Sequence, residues 1–257
     1  MDSNLVKDVL KEGFEDPVFF LQFFLSHLFP NEVPWVHRGI AAILTKKTDF
    51  LLKYGELDKI ITNFVWTDDI DAPEEEKVWH SMFSPTYNEA GEIIKLDLRV
   101  TKNTEIMLPR GYSKTTLAGI GIVLYWILYQ EKTFPIYISE SATHAEMQLA
   151  NIKTEIEGNE GIKHCFGNIV PDRQSSLKWT GDIIQTTTGV SVVARGRGGQ
   201  VRGLNIGGNR PDCILHDDVE DSAPVTADAP CTKARARRSG DIVPALPDLK
   251  EHESIMA

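Results

Sequence analysis

The chain has 257 residues, is 42% hydrophobic and 25% charged, and carries 27 Lys+Arg against 37 Asp+Glu, a formal net charge of −10. That is enough material for one substantial core, or a core with a small appended subdomain, and the ordinary apolar fraction excludes wholesale disorder. The acidity argues against a surface that grips nucleic acid all round, while leaving room for a local basic patch.

Residues 1 to about 66 read as a helical subdomain. Met1-Asp2-Ser3-Asn4 lacks the basic start and apolar run of a signal peptide. Asp16-Pro17 is a helix start, with Asp as cap and Pro in the first turn, followed by Val18-Phe-Phe-Leu-Gln-Phe-Phe-Leu. Pro34 opens a second helix from Trp35 to about Lys46, and Thr48-Asp49 is placed to cap a third. Residues 67–85 read as an acidic linker or loop, with six acids in Asp68-Asp-Ile-Asp-Ala-Pro-Glu-Glu-Glu76; an acidic recognition patch is the alternative.

Residues 86–257 read differently, as strands interleaved with helices. The strands are Glu105-Ile-Met-Leu108, Phe134-Pro-Ile-Tyr-Ile-Ser139 and Asp212-Cys-Ile-Leu-His216; the helices begin at Lys114 and near Thr143. Asp182–Thr188 and Ser191–Ala194 flank Gly189 like a hairpin. This pattern predicts an α/β fold with a mostly parallel central sheet and an antiparallel insertion. Thr115–Gln130 is uncharged but too short and too interrupted, by Gly119 and Gly121, to span a membrane; it reads as a helix buried on all sides. Three dispersed cysteines, Cys165, Cys213 and Cys231, and seven scattered histidines predict neither disulfides nor structural zinc.

Two segments carry chemistry. In Ile106-Met-Leu-Pro-Arg-Gly-Tyr-Ser-Lys-Thr-Thr-Leu117 an apolar strand enters a turn and a long helix follows. Such a turn cradles phosphate: Gly111 permits strained backbone, helix-start N–H groups face the anion, Lys114 reaches the β- and γ-phosphates, and the Thr115 hydroxyl ligates Mg²⁺. Leu108 and Ser113 stand where the GxxxxGK[ST] pattern has its glycines, so an ordinary strand-to-helix turn with a solvated Lys114 remains open. The second segment, Cys213-Ile-Leu-His-Asp-Asp-Val-Glu220, is an apolar strand ending in paired carboxylates. Asp217 suits the metal role; Asp218, or else Glu220, suits activation of the attacking water.

Between them lies Ala194-Arg-Gly-Arg-Gly-Gly-Gln-Val-Arg-Gly-Leu-Asn-Ile-Gly-Gly-Asn-Arg-Pro-Asp212. Together with Pro109-Arg-Gly-Tyr-Ser-Lys-Thr115 and Asp212-Cys-Ile-Leu-His-Asp-Asp218, this resembles the ATPase half of tailed-bacteriophage terminase large subunits over about residues 15 to 257. The resemblance implies a RecA-like P-loop NTPase of the additional-strand class. It also implies ATP hydrolysis with Mg²⁺ to drive double-stranded viral DNA, without sequence preference, through a portal into a procapsid. Its implied partners are a small terminase subunit and copies of itself in a ring, usually a pentamer. Its implied setting is the host cytoplasm, docked transiently on the procapsid and absent from the mature virion.

By the same resemblance, Arg110, Gly111, Tyr112, Ser113, Lys114, Thr115 and Thr116 form the nucleotide loop, and Thr115 and Asp217 hold the metal. Asp218 activates water with Glu220 in reserve, and Arg110 contacts the γ-phosphate. Arg202 resembles the arginine that a neighbouring subunit inserts, with Arg195 and Arg197 as rivals. Trp35, His37 and Arg38 lie where the family contacts adenine, but an aromatic near a helix start also reads as core. A second basic stretch, Lys233, Arg235, Arg237 and Arg238, reads as a solvated helix face or a phosphate-tracking surface. Glu253-Ser-Ile-Met-Ala257 looks like the start of a strand cut short, so a fragment without the family's nuclease is expected. A helicase-like DNA translocase and a nucleotide-binding assembly module with little activity of its own are the alternatives.

Overall fold

The computed structural model describes residues 3–67, 74–99, 103–106, 108–109, 111–217 and 253–256. The chain divides into two compact units, Met1–Val100 and Thr101–Ala257.

The first unit contains α1 (Ser3–Glu15), α2 (Pro17–Phe24), α3 (Trp35–Thr45), α4 (Leu51–Tyr54) and α5 (Leu57–Asn63). Asp16 caps α2 as its sequence position implies. One carboxylate oxygen accepts from Val18 N and Phe19 N, both at 3.0 Å, while the other accepts from the Tyr54 hydroxyl at 2.9 Å. The cap therefore also ties α2 to α4, which is why an aspartate can be 1% exposed here. Arg38, equally buried, forms ion pairs with Glu56 at 2.6 Å and Glu32 at 3.3 Å, a structural role within α3's surroundings. The cap of α4 is Phe50 rather than Thr48 or Asp49; the Thr48 carbonyl instead accepts from Leu51 N at 2.9 Å.

A short pair, β1 (Val65–Trp66) with β2 (His80–Ser81), and the hairpin β3 (Phe83–Tyr87) with β4 (Ile93–Leu98) complete this unit. The sequence put the start of the second domain at residue 86, yet the division falls at Val100. The reason is apolar: Phe83 and Leu96 are 1% exposed, and Phe83 meets Phe64 edge-on at 5.9 Å, which holds the hairpin on the helices. Of the expected acidic linker only 74–76 are described among residues 68–76, as a 3-10 turn.

The second unit holds β5 (Asn103–Glu105), a π-helical segment (Thr115–Ile122) running into α6 (Val123–Tyr129), β6 (Pro135–Ser139), α7 (Ala142–Gly158), α8 (Glu160–Phe166), β7 (Ile183–Gln185), β8 (Ser191–Gly196), β9 (Cys213–Asp217) and β10 (Glu253–Met256). Among the described residues, six strands form one sheet in the order β5-β10-β9-β6-β8-β7. Neighbours are parallel except for β7 and β8, which form the hairpin expected around Gly189 (φ +93°). The mixed α/β class with a mostly parallel sheet is therefore observed.

Every residue of β6 and β9 is buried, as a central parallel strand requires. Phe134, Ile136, Ile138, Val193, Val201 and Ile214 make one apolar cluster. The helix after the loop that follows β5 is buried at every position from Leu117 to Leu128, as the uncharged stretch predicts. Its first eight residues are π-helical, a wider winding associated with functional sites. β5 ends at Glu105, short of the expected strand to Leu108, because Ile106 already leaves the ladder toward the loop.

Candidate functional site

In a parallel sheet the loops that follow the strands gather at one edge, and this edge is where open α/β sheets bind ligands. Here it collects the loop after β5, the tip of β9 and the loop after β8.

The loop after β5 bends sharply. Gly111 has φ +88° and Ser113 φ +50°, so the left-handed backbone usual for glycine is imposed on a serine as well. Tyr112 is exposed, and its N–H reaches the Pro109 carbonyl at 3.4 Å. Lys114 turns the chain into helix (φ −54°, ψ −51°), is half-buried, and makes no ion pair with any described residue. Its ammonium and the helix-start N–H groups together suit an anion.

The Thr115 hydroxyl donates to Asp217 Oδ1 at 3.0 Å, across 102 positions of sequence. Asp217 ends β9, is 4% exposed, and lies opposite Ser139 of β6. Its Oδ2 accepts from the Tyr137 hydroxyl at 2.5 Å. Burial, the Asp217 charge and this hydrogen bond all push the Tyr137 phenol far above its usual range, keeping it a donor. The structure thus brings together two residues that the sequence singled out, Thr115 and Asp217, and adds a third. Thr116 follows, half-buried, in the first helical turn. Arg110, Asp218 and Glu220, and the basic stretch from Lys233 to Arg238, lie outside the described residues.

The glycine- and arginine-rich segment is pinned. Val201 sits in the apolar cluster, Leu204 and Ile206 pack against it, and Gly203 (φ +78°) turns the chain between them. Arg202, between buried Val201 and that turn, is therefore held outward and exposed. Arg195 is engaged within the chain: it donates to Asp182 Oδ2 at 3.2 Å and to the Ala194 carbonyl at 2.7 Å. Burial alone would raise the Asp182 carboxyl, but hydrogen bonds from Thr180 and Arg195 outweigh it and hold the group below its usual value. Arg197 lines a cleft of about 350 Å³ with Glu140 and Glu146.

Sequence reasoning missed three residues here. Tyr137 was legible only as an aromatic on an aliphatic buried strand, whose hydroxyl must find a partner. Gly119 lies beneath it: a Cβ there would come within 2.5 Å of the Tyr137 hydroxyl. Asp212, noticed only as part of Arg-Pro-Asp, accepts from Thr133 N at 2.5 Å, Thr133 Oγ1 at 2.9 Å and Phe134 N at 3.0 Å, and so fixes the start of β6 against β9.

A hydroxyl and a carboxylate are hard oxygen donors, the set that suits Mg²⁺ held partly by phosphate. Among the described residues, no cluster of three or more His, Cys, Asp or Glu side chains is placed to hold a metal by itself, and no described helix is long and apolar enough to cross a membrane. No protein-family model matches the chain, and no curated protein is similar to it in sequence.

Proposed function

We propose that this chain is the ATPase of a tailed-bacteriophage terminase large subunit, a RecA-like motor of the additional-strand class. It hydrolyses ATP with Mg²⁺ to drive double-stranded DNA into a procapsid. The observation that carries the reading is the 3.0 Å contact between Thr115 at the helix start and Asp217 at the tip of β9. A strand order in which β10 separates the loop-bearing β5 from the acid-bearing β9 supports the additional-strand assignment.

In this reading the loop N–H groups and Lys114 bind the phosphates, and Lys114 draws charge from the bridging oxygens as the bond breaks. Thr115 and Asp217 would hold Mg²⁺, which would supply neutralisation of the charge growing on the phosphoryl oxygens. Asp218, or Glu220 beyond it, accepts the proton of the attacking water, and Arg110 contacts the γ-phosphate. Arg202 acts on a neighbouring subunit's nucleotide. A ring, usually a pentamer, docked on the portal in the host cytoplasm with the small subunit, completes the arrangement and is shed before the virion matures.

The test is ATP turnover by the chain, alone and with DNA and procapsid, beside Lys114→Ala and Asp218→Asn. Both variants should lose turnover by a hundredfold or more, on the order seen when single charge-stabilising groups are removed. Unchanged turnover in both refutes the ATPase. Binding without turnover under every condition favours an assembly module, and duplex unwinding favours a helicase-like translocase.

A further inference from the structure

We infer that Tyr137 is the positioning residue for the Asp217 carboxylate and that Gly119 is the notch that seats it. The inference rests on the reading of Thr115 and Asp217 as the pair that holds Mg²⁺. Tyr137 stands on β6 beside β9, 1% exposed, with its hydroxyl 2.5 Å from Asp217 Oδ2. Thr115 addresses the other oxygen, Oδ1, at 3.0 Å. The terminal torsion of an aspartate is broad and nearly two-fold, so a single contact leaves the carboxylate plane free to swing. Two donors on different oxygens fix it. One oxygen is then reserved for the phenol, and the other is aimed at Thr115.

The phenol in turn has one place to sit. A Cβ on residue 119 would lie 2.5 Å from the Tyr137 hydroxyl and 3.3 Å from Cε2 and Cζ, so the ring occupies the space a side chain would fill. Gly119 comes one turn after Thr115 on the same π-helical segment. That segment therefore controls Asp217 twice, directly through Thr115 and indirectly through the ring resting on Gly119. Groups that orient a metal-holding side chain in this way typically change metal affinity by about 10–100-fold when removed.

The 257-residue chain, the non-hydrolysable nucleotide AMP-PNP and Mn²⁺ as a spectroscopically visible substitute for Mg²⁺ provide the test. Mn²⁺ affinity is read by electron paramagnetic resonance, nucleotide affinity by calorimetry in EDTA, and folding by thermal midpoint. Tyr137→Phe should weaken Mn²⁺ binding about tenfold or more while leaving metal-free nucleotide affinity unchanged. Gly119→Ala should cause the same loss by displacing the hydroxyl. In the Tyr137→Phe background Gly119→Ala should add less metal-binding loss than in the parent, because the hydroxyl at 2.5 Å is gone and only the ring carbons at 3.3 Å remain; this non-additivity is the signature of one shared device. If Tyr137→Phe folds poorly, Gly119→Ala alone decides. Asp217→Asn is the reference. If it abolishes Mn²⁺ binding while both other variants stay within twofold of the parent, the positioning role is overturned and the site reading survives. If Asp217→Asn also leaves Mn²⁺ binding intact, the site reading fails and the inference falls with it.

Discussion

Ser113 occupies a conformation better suited to glycine, and replacing it tests whether the loop stores strain. Its φ of +50° puts an L-residue in the left-handed region, which costs roughly 1–2 kcal/mol. Ser113→Gly removes that cost but restores chain freedom to the unfolded state, offsetting about 0.4–1 kcal/mol. The exposed serine hydroxyl makes no hydrogen bond with any described residue, so nothing else is lost. The net expectation is stabilisation of about 0.5–1 kcal/mol, or a rise of about 1–4 °C in the melting of the unit Thr101–Ala257. Differential scanning calorimetry reads this directly. Gly111→Ser is the mirror experiment: at φ +88°, with nothing within 4 Å of a new Cβ, it should lower stability through backbone strain alone. A lowered midpoint for Ser113→Gly, or an unchanged one for Gly111→Ser, refutes the strain argument.

Asp212→Ala removes three hydrogen bonds to Thr133 and Phe134 and should destabilise the sheet by about 1–3 kcal/mol, measurable as a lower urea midpoint at unchanged slope. Gly39→Ala drives a Cβ into the Phe64 ring and should cost about 1–3 kcal/mol by overpacking, seen in thermal melting of the helical unit. Burial is the main cause that raises Tyr54, Tyr125, Tyr129 and Tyr137 above the ordinary phenol value of 10.0. A raised folded value means that the stability these phenols contribute is complete below pH 10 and is lost as pH rises beyond it. Ultraviolet titration should therefore show their ionisation arriving together with unfolding on the alkaline side. Smooth ionisation of all six tyrosines near pH 10 without unfolding would contradict the burial.

Much of this was legible because its signals are local. Asp16-Pro17 announces a helix whatever surrounds it, and the apolar run Cys213-Ile-Leu before His216-Asp217 announces a buried strand with an acid at its tip. The Thr115–Asp217 meeting was also expected, since phosphate loops and acidic strand tips work as a pair. Features that depend on distant partners were not legible. Tyr137 and Gly119 touch only after β6 and the helix pack, and nothing in either local pattern records it. The β3–β4 hairpin escaped because Pro85 lies inside the run, and proline within an apolar alternation argues against a strand. Ser113 was visible as a departure from glycine, but only the backbone angle shows that the departure is strained. Arg195 and Arg202 look alike in sequence; an Asp182 carboxylate near one and a buried valine beside the other separate them.

The slot that β10 fills has a consequence for the order of folding. Asn103 pairs with Ser254, closing a loop that spans more than half the chain, and such closures are entropically late. β9, β6, β8 and β7 can assemble among themselves, but β5 reaches them only across β10. Until Glu253–Met256 insert, β5 with the loop that ends at Lys114 and the strand carrying Asp217 have no common sheet to align them. Assembly of this sheet is thus coupled to β10, the last of the described strands, so a partly folded chain holds Thr115 and Asp217 without the register that joins them.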